Sequence, residues 1–310
     1  MSDSGAALFL GGDVGGSSTR VAVSDRTGAV VGRGLGGPGN PLTDPNRAAA
    51  SLRAALADAL RDVDLGRIRA AALGIAGCGP AGQPPPEWLM NVWHDAGLAC
   101  PPALVTDCEV AFASATDGPD GTVLIAGTGS VAVAIRSHEI VRRVGGHGWY
   151  LGDEGSGFWL GRQALRHVLD TVERRAPMTH LSAAVLRELG CDAAGDPEEL
   201  RELVIDAAYR RDPAQVAGLG PLVTAAASDG DHAARQIVSE AGAALAALVD
   251  RARDGHEQGP VVLAGAVAVS DNAVARALRD RLAERHGARV VTVTDAVPGA
   301  LALAIRLAAR

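Results

Sequence analysis

Two short turns rich in glycine and hydroxyl residues are the parts of the sequence best suited to bind an anion. The first turn contains Gly15, Gly16, Ser17, Ser18 and Thr19, and the second contains Gly127, Thr128 and Gly129. Each turn separates two apolar segments, so LFLGGDVGGSSTRVAVS and TVLIAGTGSVAVAIR form an internal repeat of strand, turn and strand. Glycine leaves backbone N–H groups open to a ligand, and Ser and Thr add donors. The pair predicts a polyphosphate site, although a tight hairpin turn would explain either one alone.

A polyphosphate site in this chain has to work without lysine. All 29 basic residues are arginine, which excludes a Walker A lysine and a lysine Schiff base. A metal ion held by a carboxylate must then neutralise the phosphates. Asp13 is the candidate ligand, because it precedes the first turn at the end of an apolar segment. The alternative is that Asp13 forms an Asx turn within its own hairpin.

Another carboxylate stands where transfer of a phosphoryl group to an alcohol would need a base. Asp107 follows the apolar segment 103–105 and so lies at the carboxyl end of an expected strand, where α/β proteins bind their ligands. A carboxylate in that place can accept the proton of the attacking hydroxyl. The competing explanation is that Asp107 caps the N-terminus of the following helix.

Two further glycine-rich loops are candidates for contact with a polar substrate. The stretch GGHGWYLGDEGSG at residues 145–157 has six glycines and the adjacent acids Asp153 and Glu154. These acids are also explained by the N-terminus of a following helix, which favours negative charge. The loop GGPGN ends at Asn40, whose amide donates and accepts hydrogen bonds at once, as sugar hydroxyls require. For that loop taken alone, a simple turn is the stronger explanation.

Composition excludes several classes of protein. The chain has 310 residues, 47% of them hydrophobic, which is enough for a full core. Its net charge of -7 does not predict the basic surface that binds nucleic acid or an anionic membrane. No apolar run approaches the roughly 20 residues of a spanning helix, and the first ten residues lack the basic start of a signal peptide. The four cysteines form no CxxC pair. We therefore expect a cytoplasmic protein.

The order of apolar segments predicts an α/β protein. Residues 70–75 and 261–264 are expected strands, and residues 233–251 are an expected helix. Asp44 and Pro45 should cap and open another helix, with Leu52, Leu56, Leu60 and Val63 on one face. The turn-rich stretch TDGPDG at residues 116–121 predicts a boundary between a smaller domain, residues 1–117, and a larger one, residues 118–310.

The motifs DVGGSST, AGTGS, VTDCEVA, GGHGWYLGDEGSG and LAGAVA together resemble the N-acetylglucosamine kinases. These enzymes belong to the BadF/BadG/BcrA/BcrD ATPase branch of the sugar kinase, Hsp70 and actin superfamily. The resemblance covers nearly the whole chain. It implies two ribonuclease H-like (actin-like ATPase) domains with an inter-domain cleft that holds ATP and Mg²⁺, and a last helix, at about residues 298–310, packed back near the hinge.

The resemblance also implies roles for individual residues. Asp13 would serve the Mg²⁺ site, and Asp107 would be the general base on the sugar 6-hydroxyl. The residues expected to bind ATP and its phosphates are Gly15, Gly16, Ser17, Ser18, Thr19, Gly127, Thr128, Gly129, Gly265 and Ala266. The residues expected to bind the sugar are Asn40, Asp107, Gly146, His147, Gly148 and Asp153.

The function expected from this resemblance is ATP-dependent phosphorylation of an amino sugar at its 6-hydroxyl, with N-acetylglucosamine as the first choice. Glucosamine and N-acetylmuramic acid are alternative substrates. An ATPase that activates a dehydratase or reductase is an alternative function, although the cysteines lack the spacing of an iron–sulfur site. A non-catalytic sugar sensor is a further alternative. The expected partners are a sugar and ATP, with neither nucleic acid nor membrane, and a homodimer is left open.

Overall fold

The computed structural model describes residues 6–77, 84–253, 259–287 and 289–309. The chain forms two compact units, the first from Met1–Pro119 and Val293–Arg310 and the second from Asp120–Thr292. Residues at the C-terminus therefore belong to the first unit.

Ten strands and twelve helices make up the described part of the chain. The strands are β1 (Leu8–Val14), β2 (Thr19–Asp25), β3 (Val30–Gly36), β4 (Ile68–Ile75), β5 (Pro102–Val105), β6 (Gly121–Ala126), β7 (Ser130–Arg136), β8 (Glu139–Gly145), β9 (Val261–Ala264) and β10 (Val290–Val293). The helices are α1 (Pro45–Ala59), α2 (Glu87–Asp95), α3 (Asp107–Ala115), α4 (Gly157–Glu173), α5 (His180–Glu188), α6 (Pro197–Tyr209), α7 (Pro213–Ala217), α8 (Gly220–Ser228), α9 (His232–Arg253), α10 (Ala266–Val269), α11 (Ala273–His286) and α12 (Val297–Leu307). A single 3-10 turn, Leu65–Arg67, precedes β4.

The first unit is built on a five-stranded sheet with the order β3-β2-β1-β4-β5. Strand β1 is antiparallel to β2 and parallel to β4, and β4 is parallel to β5. Because β1, β4 and β5 run in one direction, their carboxyl ends meet at the same edge of the sheet. That edge is where open α/β sheets bind ligands.

Local sequence explains why α1 begins where it does. The Asp44 side chain accepts a hydrogen bond from the Arg47 amide, and Pro45 occupies the first helical position, as predicted. Leu52 and Leu56 are fully buried in the core of this unit. The helix ends at Ala59, so the predicted apolar face does not extend to Val63, which lies beyond the C-cap.

Helix α12 is tied to α3 by the hydroxyl of Ser114. This hydroxyl donates to the carbonyl of Ala296 at 2.9 Å and accepts from the amide of Gly299 at 2.8 Å. The same helix packs along β1. This packing places Asp295, two residues before α12, beside the end of β1.

The second unit repeats the topology of the first. Its sheet has the order β10-β9-β6-β7-β8, with β6 antiparallel to β7 and parallel to β9. The hairpin β6–β7 thus occupies the position that β1–β2 has in the first sheet, and the internal repeat predicted from the sequence is confirmed. Both sheets have the ribonuclease H-like arrangement, which confirms the predicted α/β class.

Within the described ranges, no helix combines the length and the apolar character needed to cross a bilayer. The same residues include no group of three or more His, Cys, Asp or Glu side chains placed to hold a metal ion. Cys100, Cys108 and Cys191 are free thiols, and Cys78 lies outside the described residues.

Candidate active site

Asp13 is a largely buried carboxylate at the carboxyl end of β1. It lies opposite Arg20 in the β1–β2 hairpin, and the two side chains form a long ion pair of 3.9 Å. The pKa of Asp13 is raised from 3.8 to about 6. Burial is the main cause, Arg20 opposes it, and the negative charges of Asp107 and Asp295 add to it. No hydrogen bond engages this carboxylate among the residues that the structure describes, so the Asx-turn explanation is wrong.

Asp107 is the first residue of α3 rather than its cap. Thr106 is the N-cap: its side chain accepts from the amide of Glu109, and the Glu109 side chain accepts in return from the Thr106 amide. This capping box leaves Asp107 in the first helical turn, with its carboxylate accepting from the amide of Cys108 at 2.9 Å. The explanation of Asp107 as an N-cap is therefore wrong, because the hydroxyl one residue earlier performs that task.

The capping box predicts a stability change that can be measured. Thr106→Ala should lower the free energy of unfolding by about 1–2 kcal/mol relative to Thr106→Ser, because serine keeps the capping oxygen and alanine does not. Both variants lose the same methyl group, so the comparison isolates the cap. Urea unfolding measures the difference, and equal stability of the two variants would contradict the assignment of Thr106.

The first turn is joined to the loop that contains Asn40. The Gly39 amide donates to the carbonyl of Gly15 at 2.9 Å, and the buried Thr19 hydroxyl donates to the carbonyl of Gly37 at 3.0 Å. The Thr19 hydroxyl is thereby directed at this loop, whereas Ser17 is exposed and Ser18 is half-buried. Two predicted sites, the phosphate turn and the sugar loop, are adjacent in the structure.

Asn40 belongs to the loop after β3, and this loop lies beside the carboxyl end of β4. Its side-chain oxygen accepts from the Leu42 amide at 2.9 Å, which makes the loop an Asx turn. A Cβ atom at Gly77, just after β4, would lie 2.9 Å from the same oxygen. The amide nitrogen of Asn40 donates to none of the residues that the structure describes. Asp13, at the end of β1, and Asp107, after β5, lie at the same edge of the sheet as Asn40.

The second turn is held by the start of α4. The amide of Gly157 donates to the carbonyl of Gly127 at 2.8 Å, and the amide of Phe158 donates to the carbonyl of Thr128 at 3.1 Å. The Gly127 amide in turn donates to the carbonyl of Gly129 at 2.9 Å. Thr128 is half-buried at the tip of this turn.

Asp153 is buried against the second turn. One carboxylate oxygen accepts from the amide of Ser130 at 3.1 Å. Burial raises the pKa of Asp153, Glu154 raises it further, and the Ser130 hydrogen bond and His147 oppose the shift. Ser156 is the N-cap of α4, so Asp153 lies three residues before the cap, and its carboxylate is bonded to the residue that follows the second turn.

The other residues expected at the sugar and at adenosine lie in the same unit. Gly146 and Gly148 have positive φ angles, and His147 between them is exposed. The Gly146 amide donates to the carbonyl of Ser130 at 2.9 Å, so this loop also reaches the second turn. Gly265 precedes α10, and its Cα is 3.9 Å from a Cβ built at Gly127; Ala266 is the first residue of α10.

Sequence reasoning missed three neighbours of these residues. Arg20 follows from the hairpin register, once β1 and β2 are paired across the turn. Thr106 was detectable, because the sequence TDCE has the Thr-x-x-Glu form of a capping box. Asp295 carries no such signal, since only the packing of α12 brings it beside Asp13.

Comparison with known proteins gives two curated relatives. An N-acetyl-D-glucosamine kinase from Dictyostelium discoideum is 31% identical over 212 residues, which are 64% of this chain and 64% of that protein. An N-acetylmuramic acid/N-acetylglucosamine kinase from Clostridium acetobutylicum is 30% identical over 140 residues, 44% of each chain. The matched parts thus span less than two thirds of the length of either relative.

A solved structure and a family model match almost the whole chain. The crystal structure of a candidate N-acetylglucosamine kinase from Chromobacterium violaceum is 27% identical, with a TM-score of 0.77, and the match covers 96% of this chain and 99% of that one. The model of the BadF/BadG/BcrA/BcrD ATPase family matches residues 10–304. The chain therefore belongs to the BadF/BadG/BcrA/BcrD ATPase family.

Proposed function

We propose that this protein transfers the γ-phosphoryl group of ATP to the 6-hydroxyl of an amino sugar, with N-acetylglucosamine as the preferred acceptor. The observation that carries the proposal is the shared edge of the first sheet, where Asp13 ends β1, Asp107 follows β5, and Asn40, from the loop after β3, lies beside the end of β4. The names of both curated relatives support an acetylated amino sugar as substrate. The family supports the use of ATP.

Asp107 is the proposed general base. Its carboxylate accepts the proton of the sugar 6-hydroxyl as the bond between O6 and the γ-phosphorus forms. The bond between the γ-phosphorus and its bridging oxygen breaks in the same transfer, and the electron pair stays with ADP. The products are a sugar phosphate monoester, ADP and a proton. Asn40, in the same unit, would hold a further sugar hydroxyl through its amide.

Asp13 is the proposed protein ligand of Mg²⁺. Among the described residues, the buried Asp13 carboxylate has one distant cationic partner, Arg20, and two acidic neighbours, and this arrangement favours a bound cation. Mg²⁺ at phosphate sites needs only one or two carboxylates besides water and phosphate oxygens. The residues therefore fit the ion. When bound, Mg²⁺ neutralises charge on the phosphates. Arg20 would limit the negative charge at Asp13 before the ion arrives.

Within the second unit, further residues are proposed as ligand contacts. Thr128 and its flanking glycines would contact the β and γ phosphates, and Gly265 with Ala266 would contact adenosine. In the first unit, Gly16 would add its backbone amide, whereas the Gly15 amide already donates to the carbonyl of Ser18 at 2.9 Å. Asp153 and the backbone at residues 146–148 would line the place of the sugar.

A panel of acceptors tests this function. Coupled detection of ADP should show release that requires both Mg²⁺ and a sugar, with the highest kcat/KM for N-acetylglucosamine. N-acetylmuramic acid is the second candidate substrate, favoured by the name of the Clostridium relative. Glucosamine and glucose complete the panel. Failure of a folded protein to release ADP with every sugar would overturn the proposal.

A further inference from the structure

Hydrogen bonds join the second turn, residues 127–129, and Ser130 after it to the glycine-rich loop, residues 145–157, and to the start of α4. Besides the two backbone bonds from Gly157 and Phe158, the Ser130 hydroxyl donates to the carbonyl of Glu154 at 3.0 Å. The fourth bond is the only one of these that uses an acidic side chain: the Ser130 amide donates to Asp153. These hydrogen bonds hold the second turn in a fixed position relative to the loop.

The Asp153 carboxylate also covers Gly129. A Cβ atom at Gly129 would lie 2.8–3.0 Å from the carboxylate atoms, closer than a real Cβ approaches any neighbour. A larger residue at this position would therefore displace the carboxylate from its place beside the Ser130 amide. The turn and the acid are thus fitted to each other, independently of any sugar.

Asp153 adopts a backbone conformation that disfavours most residues. Its φ is +62°, in the left-handed region, where Asn, Asp and Gly are the best tolerated residues. The buried side chain and the bond from the Ser156 amide to the Asp153 carbonyl, at 3.1 Å, hold this conformation. Strain of this kind is maintained where the surrounding structure requires a side chain in one place.

We propose that Asp153 is a positioning residue for the nucleotide phosphates, in addition to any contact with sugar. Its carboxylate fixes the Ser130 amide and the Gly129 backbone, so that the amides of Thr128 and Gly129 keep the direction needed to meet a phosphate. This inference rests on the proposed function of the second turn as a phosphate site. A residue that contacts only sugar would leave nucleotide affinity unchanged when altered.

Two variants separate the carboxylate from the backbone. Asp153→Gly accepts the positive φ without strain but removes the hydrogen bond to Ser130. Asp153→Asn tolerates the same φ and keeps an oxygen that can accept from Ser130. Measured by calorimetry with Mg²⁺ and AMPPNP, in the absence of sugar, the Kd should rise about tenfold in Asp153→Gly and stay near the wild-type value in Asp153→Asn. Glu154→Gln, a charge removal at the exposed neighbouring acid, is the matched control and should not change the Kd.

Hydrogen exchange of the Ser130 amide gives a readout that does not depend on ligand. It should be at least tenfold faster in Asp153→Gly than in wild type, and protected in Asp153→Asn. Wild-type nucleotide affinity in Asp153→Gly, with only the sugar KM raised, would overturn the proposal and leave Asp153 as a sugar ligand. If the wild-type protein binds no AMPPNP, the proposed function fails, and a Ser130 amide still protected in Asp153→Gly would overturn the positioning role by itself.

Discussion

Asp107→Asn is expected to lower kcat by about 10²–10⁴-fold, the usual contribution of a general base, while the affinity for sugar changes little. Asparagine keeps the shape of the side chain and an oxygen that can accept from the Cys108 amide, so α3 should begin as it does in the wild type. What is lost is the acceptor for the 6-hydroxyl proton. Steady-state kinetics with a direct measurement of sugar binding separate these two effects.

The control for this variant is the same substitution at an acid in the same unit that takes no part in the site. Asp62 is exposed and lies between α1 and β4. Asp62→Asn should have wild-type kcat. If Asp107→Asn also retained wild-type kcat, the helix-terminal charge would be its only role, and another group would have to accept the proton.

Asp13→Asn is expected to stabilise the metal-free protein at neutral pH. Because the folded state raises the pKa of Asp13 from 3.8 to about 6, it binds this proton more tightly than the unfolded chain. The free energy of unfolding of the wild type therefore falls as the pH rises from about 4 to 6, and the cost of the buried charge persists above that range. Asparagine carries no charge and does not lose stability in this way. The free energy of unfolding of the variant, relative to the wild type, should therefore be roughly 1–3 kcal/mol higher at pH 7.5 than at pH 4.

Urea unfolding in EDTA at these two pH values measures the gain. Asp62→Asn, at the exposed acid in the same unit, is again the control. If the difference in free energy of unfolding between Asp13→Asn and the wild type did not depend on pH, burial would not raise the pKa of the Asp13 carboxylate. Asp13→Asn should also raise the Mg²⁺ concentration for half-maximal activity by about tenfold or more, and an unchanged Mg²⁺ titration would remove Asp13 from the metal site.

Local signals explain why much of the fold was predictable. Asp44 and Pro45 mark the start of α1 because capping depends on neighbours in sequence. The apolar run at residues 261–264 matches β9, since a strand buried on both faces needs little more than apolar residues. The repeated hairpin was visible because both copies keep apolar strands on either side of a small turn.

The edge strand β3 shows where local signals mislead. Its sequence VVGRGLG has three glycines, which usually indicate a loop. In the structure these glycines allow α1 to pack directly on the strand: a Cβ atom at Gly34 would lie 1.8 Å from the carbonyl oxygen of Ala55. The requirement comes from a helix later in the chain, so the pattern of the strand itself does not reveal it.

Some residues of the candidate site could be predicted from local sequence, and others could not. Asp13 and Asp107 were identifiable because Asp13 lies at the end of one apolar segment and Asp107 just after another, and the ends of parallel strands lie at one edge of a sheet. The contact between Asp153 and Ser130 could not be predicted from the sequence. The two residues are 23 apart, and the path of the loop between them depends on several positive φ angles. The same is true of Asp295, which tertiary packing alone brings to Asp13.

The position of the phosphate on the product tests the central proposal most directly. The protein would be incubated with ATP, Mg²⁺ and N-acetylglucosamine, and the product examined by proton–phosphorus correlation NMR. The account predicts a monoester whose phosphorus couples to the two protons on C6, formed in equal amount with ADP. A phosphorus coupled to the proton on C1 would contradict the assigned acceptor, and release of inorganic phosphate without any sugar phosphate would contradict the kinase itself.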